Sequence, residues 1–223
     1  MKRIGVIVSA RMASSRLPGK AMLPLGGMPV IEFLMTRLKA STYFSHVILA
    51  TTNQADDDVL AQHMNRINVP IFRGDKDDLV SRYLGAADEF QFDTLVRITG
   101  DCPFLNGAVL DYFVAECEKK TEFDLATTKG AFPIGLDFEL FSTESLRQWH
   151  ENGNLTAWQR EHLTLAYYEK PAKIAQVKPP QAWTKTKQHY TLDTIEDFHF
   201  QQSIVKKFQG NPNFSVTDLL SLS

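Results

Sequence analysis

The chain has 223 residues, 43% of them hydrophobic and 22% charged, and a formal net charge of −2. This size supports a large core and fits one domain over 1–223, while the near-neutral charge argues against nucleic acid or an anionic membrane as a partner. The two cysteines form no C-x-x-C pair, and no stretch approaches the ~18 apolar residues of a membrane span or forms a signal-peptide core, so we expect a cytoplasmic protein without disulfides or zinc.

The first predicted element is a buried strand, Ile4–Val8, which leads into a segment that we call the cationic loop, Ser9–Lys20. The loop interleaves Arg11, Arg16 and Lys20 with small residues. Ligands of open α/β sheets bind at the carboxyl ends of strands, where backbone N–H groups and charge can converge on a polyphosphate. The alternative is a set of solvated surface cations. Neither the P-loop nor the dinucleotide glycine motif is present.

A βαβ unit follows, with a helix over Pro29–Leu38 and a strand over His46–Ala50. Thr51 and Thr52 end that strand at the edge where Ser9 ends the first one. They are candidates to hydrogen-bond a base or ribose, with an ordinary turn as the equal alternative.

Three consecutive acidic residues, 56–58, open a predicted helix that ends at Ile67. Adjacent helical positions point in different directions, so we favour capping over metal binding. A strand over Val69–Phe72 and a helix over Asp78–Asp88 come next. Arg73 and Arg82 are candidates to face a nucleotide, although Arg82 can equally pair with Asp78.

The strand Thr94–Ile98 ends in Thr99, Gly100 and Asp101. A carboxylate on such a stiff turn points into the crevice and can bind a hard divalent cation. Cys102 has no histidine close in sequence, so we favour packing over a nucleophilic role.

After a helix over Ala108–Glu118 and a strand over Phe123–Thr127, the segment Pro133–Phe141 alternates its side chains. The alternation predicts Asp137 and Glu139 on one face of a strand. Two such carboxylates can share a metal, act as an acid and a base, or bind sugar hydroxyls. They can also form a plain exposed face.

Helices are predicted over Thr143–Glu151 and Trp158–Tyr168. The second helix carries Arg160 and His162, for which a surface ion pair is as good an explanation as a contact to an acidic sugar. The region from 132 to 168 is rich in aromatic residues, which are favoured in interfaces.

Two final strands are predicted over Lys173–Val177 and His189–Leu192. A helix then runs to about Phe208, with Thr194 as N-cap and Asp197 in the capping-box position. A short helix is predicted over residues 216–222.

Several segments, spread from residue 4 to about 200, together resemble one family. The cationic loop resembles the R-x-x-S-x-R-L-P-G-K signature of the sugar cytidylyltransferases, the group of acylneuraminate and 3-deoxy-manno-octulosonate cytidylyltransferases, and is most similar to its SpsF-like, spore coat polysaccharide branch. Later segments resemble the family's R-G-x-x-x-D-V-L-x-R-Y, G-D-x-P, P-x-G-L-D-x-E, R-E-H-V-T and V-D-T-x-E-D patterns, with Ser81 where an acid is common.

The resemblance implies a three-layer, Rossmann-like α/β fold of the nucleotide-diphospho-sugar transferase type, with a mostly parallel sheet and helices on both faces. It also implies a β-arm and helical dimerisation insertion at about 130–170, and a homodimer. The implied reaction joins CMP from CTP to a sugar, an acidic one for cell-surface polysaccharide, and releases pyrophosphate with the help of Mg²⁺.

The resemblance further implies roles for individual residues. Asp101 and Asp193 are the implied metal ligands, and Arg11, Arg16 and Lys20 the catalytic cations. The implied nucleotide contacts are Ser9, Ala10, Arg11, Arg16, Lys20, Thr51, Thr52, Arg73, Arg82, Thr99 and Gly100. The implied sugar contacts are Asp137, Glu139, Arg160 and His162.

Two alternatives stay open at this point. One is a nucleotidyltransferase that uses another nucleoside triphosphate and a sugar 1-phosphate or small alcohol. The other is a relative that binds nucleotide without catalysis, against which the joint presence of Lys20, Asp101 and Asp193 argues.

Overall fold

A seven-stranded sheet is the central feature of the fold. The computed structural model describes residues 3–152, 155–183 and 188–222. Its strands are β1 (Ile4–Ser9), β2 (Pro24–Leu25), β3 (Met28–Pro29), β4 (Val47–Thr52), β5 (Ile71–Gly74), β6 (Thr94–Thr99), β7 (Leu125–Thr127), β8 (Glu139–Ser142) and β9 (Ile174–Gln176). Its α-helices are α1 (Val30–Leu38), α2 (Asp58–Arg66), α3 (Leu79–Phe90), α4 (Gly107–Glu118), α5 (Thr143–Glu151), α6 (Ala157–Glu161), α7 (Leu165–Glu169), α8 (Ile195–Lys207) and α9 (Val216–Leu220).

The sheet order is β5-β4-β1-β6-β8-β7-β9, and β2 and β3 form a separate hairpin. β1 pairs in parallel with both β4 and β6, with Ser9 opposite Ala50 on one side and Thr99 on the other. β8 alone runs against both of its neighbours in the described sheet. The prediction of a mostly parallel sheet is therefore confirmed, and the ends of β1, β4 and β6 meet at one edge.

Each face of the sheet carries its own hydrophobic cluster. Val6 and Val8 of β1 join the cluster that includes α1, α4 and α8, whereas Ile7 joins the one that includes α3 and α7. Successive side chains of a strand point to opposite faces, so a continuous apolar strand such as β1 requires helices on both sides. The predicted three-layer arrangement is confirmed.

Two predicted elements differ from the structure. Residues His189–Leu192 do not form a sheet strand: the Tyr190 N–H donates to Ile134 O and the Leu192 N–H donates to Asp101 O, each at 2.8 Å. The strand prediction was wrong because those backbone groups bond to the loops that carry Ile134 and Asp101. The single helix predicted over 158–168 is broken at Leu163, which has a left-handed φ of 47°.

Other predicted element boundaries differ from the observed ones by a few residues. The strand predicted over 69–72 lies at β5, and the alternating segment 133–141 becomes regular only at β8, so Asp137 precedes the strand. The predicted capping box of the late helix is confirmed, with Thr194 and Asp197 bonded reciprocally. No helix in the described part of the chain has the length and apolar character needed to cross a membrane.

Candidate active site

A cleft of about 840 Å³, the large cleft, opens at the carboxyl ends of β1 and β6. Its volume falls within the range usual for small-molecule sites. Six cationic and four acidic side chains line it, a surplus that suits a polyphosphate. The lining residues are Ser9, Ala10, Arg11, Ala13, Ser14, Ser15, Arg16, Pro18, Lys20, Ala21, Lys76, Asp77, Leu79, Arg82, Arg97, Thr99, Gly100, Asp101, Glu161, His162 and Asp193.

Lys20 lies between Asp101 and Asp193, which we call the carboxylate pair. Its Nζ donates to Asp101 Oδ2 at 2.8 Å, to Asp193 Oδ1 at 3.0 Å and to Leu192 O at 2.7 Å. Both carboxylates are within hydrogen-bond distance of one nitrogen, so they are close enough to share one cation. The structure thus brings together three residues that are far apart in sequence.

Lys20 and the carboxylate pair stabilise one another's charged forms. Burial lowers the pKa of Lys20, but the Asp101 and Asp193 carboxylates together outweigh burial and the net pKa is raised. Burial raises the pKa of Asp101, yet the Lys20 ammonium together with hydrogen bonds from Thr99 and Cys102 reverses this effect, and the net pKa is lowered. Both groups are therefore charged at neutral pH.

The cationic loop is held in place by its own turn and by an acid from β4's side of the sheet. Gly19 takes a left-handed φ of 72°, and its N–H donates to Met12 O at 2.9 Å. Asp57 accepts from the Met12 N–H at 2.6 Å and also from the N–H and hydroxyl of Thr52. Asp57 therefore fastens the loop to the end of β4, a role that the consecutive acids in the sequence did not reveal.

The turn after β6 aims Asp101 into the cleft. A Cβ on Gly100 would lie 2.7 Å from Ala10 Cβ and 3.1 Å from Ser9 O, so this position needs glycine for close approach. Cys102 Sγ donates to Asp101 Oδ1 at 3.6 Å. Burial raises the pKa of Cys102 far above its ordinary value, so the residue is a thiol donor in the packed turn and no thiolate nucleophile.

Asp193 lies just before α8, where Arg16 Nη2 contacts its Oδ1 at 2.7 Å. Its backbone N–H donates to Asp197 Oδ2 at 3.0 Å, which fixes the approach of the chain to the helix. Arg11, on the opposite side, pairs with Glu161 at 3.0 Å. All three predicted catalytic cations thus line the large cleft.

Three predicted nucleotide contacts do not line the large cleft. Thr51 is fully buried in β4, and Thr52 bonds to Asp57. Arg73 donates to Thr52 O and Gln54 O and pairs with Asp58 at 2.6 Å, so it braces the segment after β4. The geometry of Thr51 and Thr52 matches the alternative of an ordinary turn.

The other predicted nucleotide contacts do line the large cleft, namely Ser9, Ala10, Arg82, Thr99 and Gly100. Arg82 is buried and donates to Asp75 O and Lys76 O, so it does not form the alternative pair with Asp78. It holds the 75–76 backbone against the cleft wall.

A second cavity of about 220 Å³, the small cavity, adjoins the first. Arg97, Thr99 and Asp101 line both cavities. The remaining lining residues of the small cavity are Cys102, Lys129, Ile134, Asp137, Phe138, Glu139 and Thr191. Its size suits one small molecule such as a single sugar, whereas the large cleft can hold a nucleotide.

Asp137 and Glu139 both line the small cavity but differ in their bonding. Asp137 accepts from the Gly135 N–H at 2.9 Å, and burial raises its pKa. Glu139 is buried and receives Arg97, Lys129, Thr164 and the hydroxyl of Tyr168. Burial raises the pKa of Glu139, but Arg97 and Lys129 make the net shift downward. The exposed-face alternative is wrong for Glu139.

Arg160 and His162, predicted at the sugar, lie elsewhere. Arg160 pairs with Asp78 at 2.6 Å and lines neither cavity, as the ion-pair alternative proposed. His162 lines the large cleft, beside Glu161, and its ring lies 3.8 Å from that of Trp158, measured between centroids.

The carboxylate pair fits a divalent cation brought in with a triphosphate. Within residues 3–152, 155–183 and 188–222, no three His, Cys, Asp or Glu side chains converge on a common metal position. Mg²⁺, however, is commonly held by one or two carboxylates while phosphate oxygens and waters complete its coordination. Asp101 and Asp193 offer two carboxylate oxygens, and the position between them already holds a positive group, the Lys20 ammonium. The carboxylate pair therefore meets that requirement.

The fold and the site together define a nucleotidyltransferase, and comparison with known proteins agrees. The sequence profile of the cytidylyltransferase family matches residues 5–215. A solved cytidylyltransferase from Leptospira borgpetersenii serovar Hardjo-bovis superposes with a TM-score of 0.92 and 31% identity, covering 100% of this chain and 94% of that one.

Two relatives extend over nearly the whole chain. An uncharacterized protein of Methanocaldococcus jannaschii is 35% identical over 93% of this chain and 85% of its own. The spore coat polysaccharide biosynthesis protein SpsF of Bacillus subtilis is 26% identical over 100% of this chain and 94% of its own. The chain belongs to the cytidylyltransferase family, and the enzyme is a CTP-dependent nucleotidyltransferase.

Proposed function

We propose that the enzyme transfers CMP from CTP to a hydroxyl group of a sugar and releases pyrophosphate. The observation that carries this proposal is the contact of Lys20 with both members of the carboxylate pair in a nucleotide-sized cleft. One member of the pair, Asp101, also lines the adjoining sugar-sized cavity. The relative SpsF is named for polysaccharide biosynthesis, which supports a sugar acceptor, and we extend this to an acidic sugar.

In this proposal the triphosphate lies in the large cleft with its β and γ phosphates against Arg11, Arg16 and Lys20. These cations now bond to Glu161 and to the carboxylate pair. The triphosphate offers them stronger anionic partners, and they stabilise the charge that builds on the departing pyrophosphate.

Asp101 and Asp193 would hold a divalent cation, proposed as Mg²⁺, beside the triphosphate. When bound, the ion neutralises phosphate charge and fixes the geometry of the phosphates. The pKa of Asp101 is lowered, so its carboxylate is available to the metal at neutral pH without first losing a proton.

The acceptor occupies the small cavity and attacks the α-phosphorus in line with the bond to pyrophosphate. The bond from the acceptor oxygen to phosphorus forms, the bond to the pyrophosphate oxygen breaks, and the hydroxyl proton moves to Asp137. Asp137 suits this task because Asp101 is engaged with the metal and Glu139 already has four donors. The raised pKa of Asp137 also makes its carboxylate a better base.

We also propose that two copies of the chain pair through the 130–170 region. Ile134, Trp158 and Tyr168 are all exposed there, although large apolar side chains are usually buried. Light scattering of the purified protein should give the mass of a dimer, and Trp158→Glu should shift it toward the monomer. A monomeric mass for the unaltered chain would contradict the pairing.

Pyrophosphate release, measured with each of the four common ribonucleoside triphosphates and a panel of acidic and neutral sugars, tests the proposed reaction. We expect turnover with CTP and an acidic sugar, and its loss in Asp101→Asn. Lys173→Ala serves as a surface control that should keep full turnover, because this exposed lysine pairs with Glu122 at 2.8 Å and lines neither cavity. Turnover that prefers another triphosphate, or that survives in Asp101→Asn, would contradict the proposal.

A further inference from the structure

Arg97, Thr99 and Asp101 are the lining residues that the large cleft and the small cavity have in common. In an in-line transfer the acceptor oxygen and the α-phosphorus must meet where the two cavities meet. Asp101 is already placed at the metal, and Thr99 hydrogen-bonds to Cys102. Arg97 is the remaining residue that lines both cavities, and its guanidinium group has no role assigned so far. It lies on β6, where the sequence alone does not indicate a function.

Arg97 does not merely neutralise Glu139. Each Glu139 oxygen has two partners: Oε1 contacts Lys129 and Tyr168, and Oε2 contacts Arg97 and Thr164. A carboxylate has about four acceptor sites, so this one is saturated. One positive charge, that of Lys129, is enough to balance the negative charge of Glu139. The presence of Arg97 as a second cation at this buried carboxylate therefore calls for a further explanation.

The hydrogen bonds of Arg97 itself leave donors unused. Among the described residues it bonds through Nη1 alone, at 2.6 Å to Glu139 Oε2, and its buried Nε has no partner. A guanidinium presents five N–H donors in a rigid fork that matches phosphate oxygens. Its side chain is 16% exposed, and the exposed part faces the cavities that it lines.

We infer that Arg97 is a catalytic residue that contacts the non-bridging oxygens of the α-phosphate and stabilises their charge in the transition state, and that Glu139 positions it. The inference rests on the proposed function and deepens it. The bonds made and broken are those already given, and Arg97 keeps its protons throughout. Glu139, predicted as a sugar ligand, acts here through Arg97 because its own acceptor sites are filled.

The first experiment is ³¹P NMR of the complex with CTP and Mg²⁺, which needs no acceptor. In Arg97→Lys the α-phosphorus resonance should move, while the β and γ resonances keep their positions. In Lys20→Ala the β or γ resonance should move instead. An α resonance that is identical in Arg97→Lys and the unaltered enzyme overturns the inference.

The second experiment is steady-state kinetics with the acceptor found in the sugar panel. Removing one donor to a developing oxyanion typically costs about 100- to 1,000-fold in kcat. We expect Arg97→Lys and Arg97→Gln to lose about 100-fold in kcat while KM for CTP stays within about threefold, because the contact strengthens in the transition state. A change confined to KM, or unchanged kcat, overturns the inference.

Arg37→Lys is the matched control for loss of a buried arginine. Arg37 is buried, donates to Phe104 O and Phe214 O, and lines neither cavity. Its replacement should lower the melting temperature with kcat unchanged.

Glu139→Gln provides a second variant in case Arg97 variants fold poorly. It should lower kcat as well, and Arg97→Lys combined with Glu139→Gln should lose no more than Arg97→Lys alone, because both act through one contact. Additive losses would overturn the positioning role. Failure of the unaltered enzyme to bind CTP would be distinct from these outcomes, since it would overturn the proposed function itself together with the inference.

Discussion

Replacement of Lys20 by alanine should have opposite effects on catalysis and on metal binding. The Lys20 ammonium donates to both members of the carboxylate pair, so a metal ion that uses the same oxygens must displace it. In catalysis the ammonium is expected on the leaving pyrophosphate. The substitution therefore frees the two proposed metal ligands while it removes a charge that we propose acts in catalysis.

The structure gives a scale for both effects. Lys20 has a side chain only 15% exposed and makes three hydrogen bonds, two of them to carboxylates. One preorganised contact to a developing charge is worth about 3–4 kcal/mol, so kcat should fall about 100- to 1,000-fold. One charge-assisted hydrogen bond is worth about 1.5–3 kcal/mol, so Mg²⁺ should bind the free variant about tenfold more tightly or better.

Isothermal titration with Mg²⁺ and a pyrophosphate-release assay measure the two effects on the same preparations. Lys173→Ala again controls for loss of a lysine. Weaker Mg²⁺ binding by the free Lys20→Ala variant would refute the placement of the metal between Asp101 and Asp193. Near-normal turnover would refute the role of Lys20 on the leaving group.

Three further outcomes are expected. Asp193→Asn should raise the Mg²⁺ concentration needed for half-maximal turnover by at least about tenfold, because one of the two proposed metal-binding carboxylates is lost. An unchanged titration would remove Asp193 from the proposed coordination shell. Burial raises the pKa of Asp137, so activity should fall as the pH drops through that raised pKa and the proposed base becomes protonated. Asp137→Asn should abolish this acid limb of the pH profile, and a limb that persists would contradict the role of Asp137 as the base. Gly100→Ala places a Cβ 2.7 Å from Ala10 Cβ. This overpacking should lower the free energy of unfolding by about 1–3 kcal/mol and the melting temperature by roughly 2–12 °C, with a large loss of turnover. An unchanged melting curve would refute the crowding.

The sequence predicted the parts of the site that follow from strand ends. Each parallel strand delivers the residues after it to one edge of the sheet, so Lys20 and Asp101 could be placed together before any contact was known. Asp193 could be added only through family resemblance, because its segment forms no strand and reaches the site by bonding to the Asp101 turn.

The predicted contacts that line neither cavity are side chains whose actual partners no local pattern identifies. Arg160 reads as a sugar contact until Asp78 is seen beside it, and Thr52 reads as a nucleotide contact until Asp57 is seen to hold it. Arg97 lies in the middle of a strand, where no local pattern separates a catalytic arginine from a structural one. Its position becomes informative only when both cavities and the four donors of Glu139 are known.

The most direct test of the account is a crystal structure of the enzyme with Mg²⁺ and a non-hydrolysable CTP analogue. The account predicts one magnesium ion about 2.1 Å from a carboxylate oxygen of Asp101 and from one of Asp193, with Lys20 turned to a β or γ phosphate oxygen. A magnesium ion bound away from either carboxylate, with Lys20 still between the two acids, would contradict it.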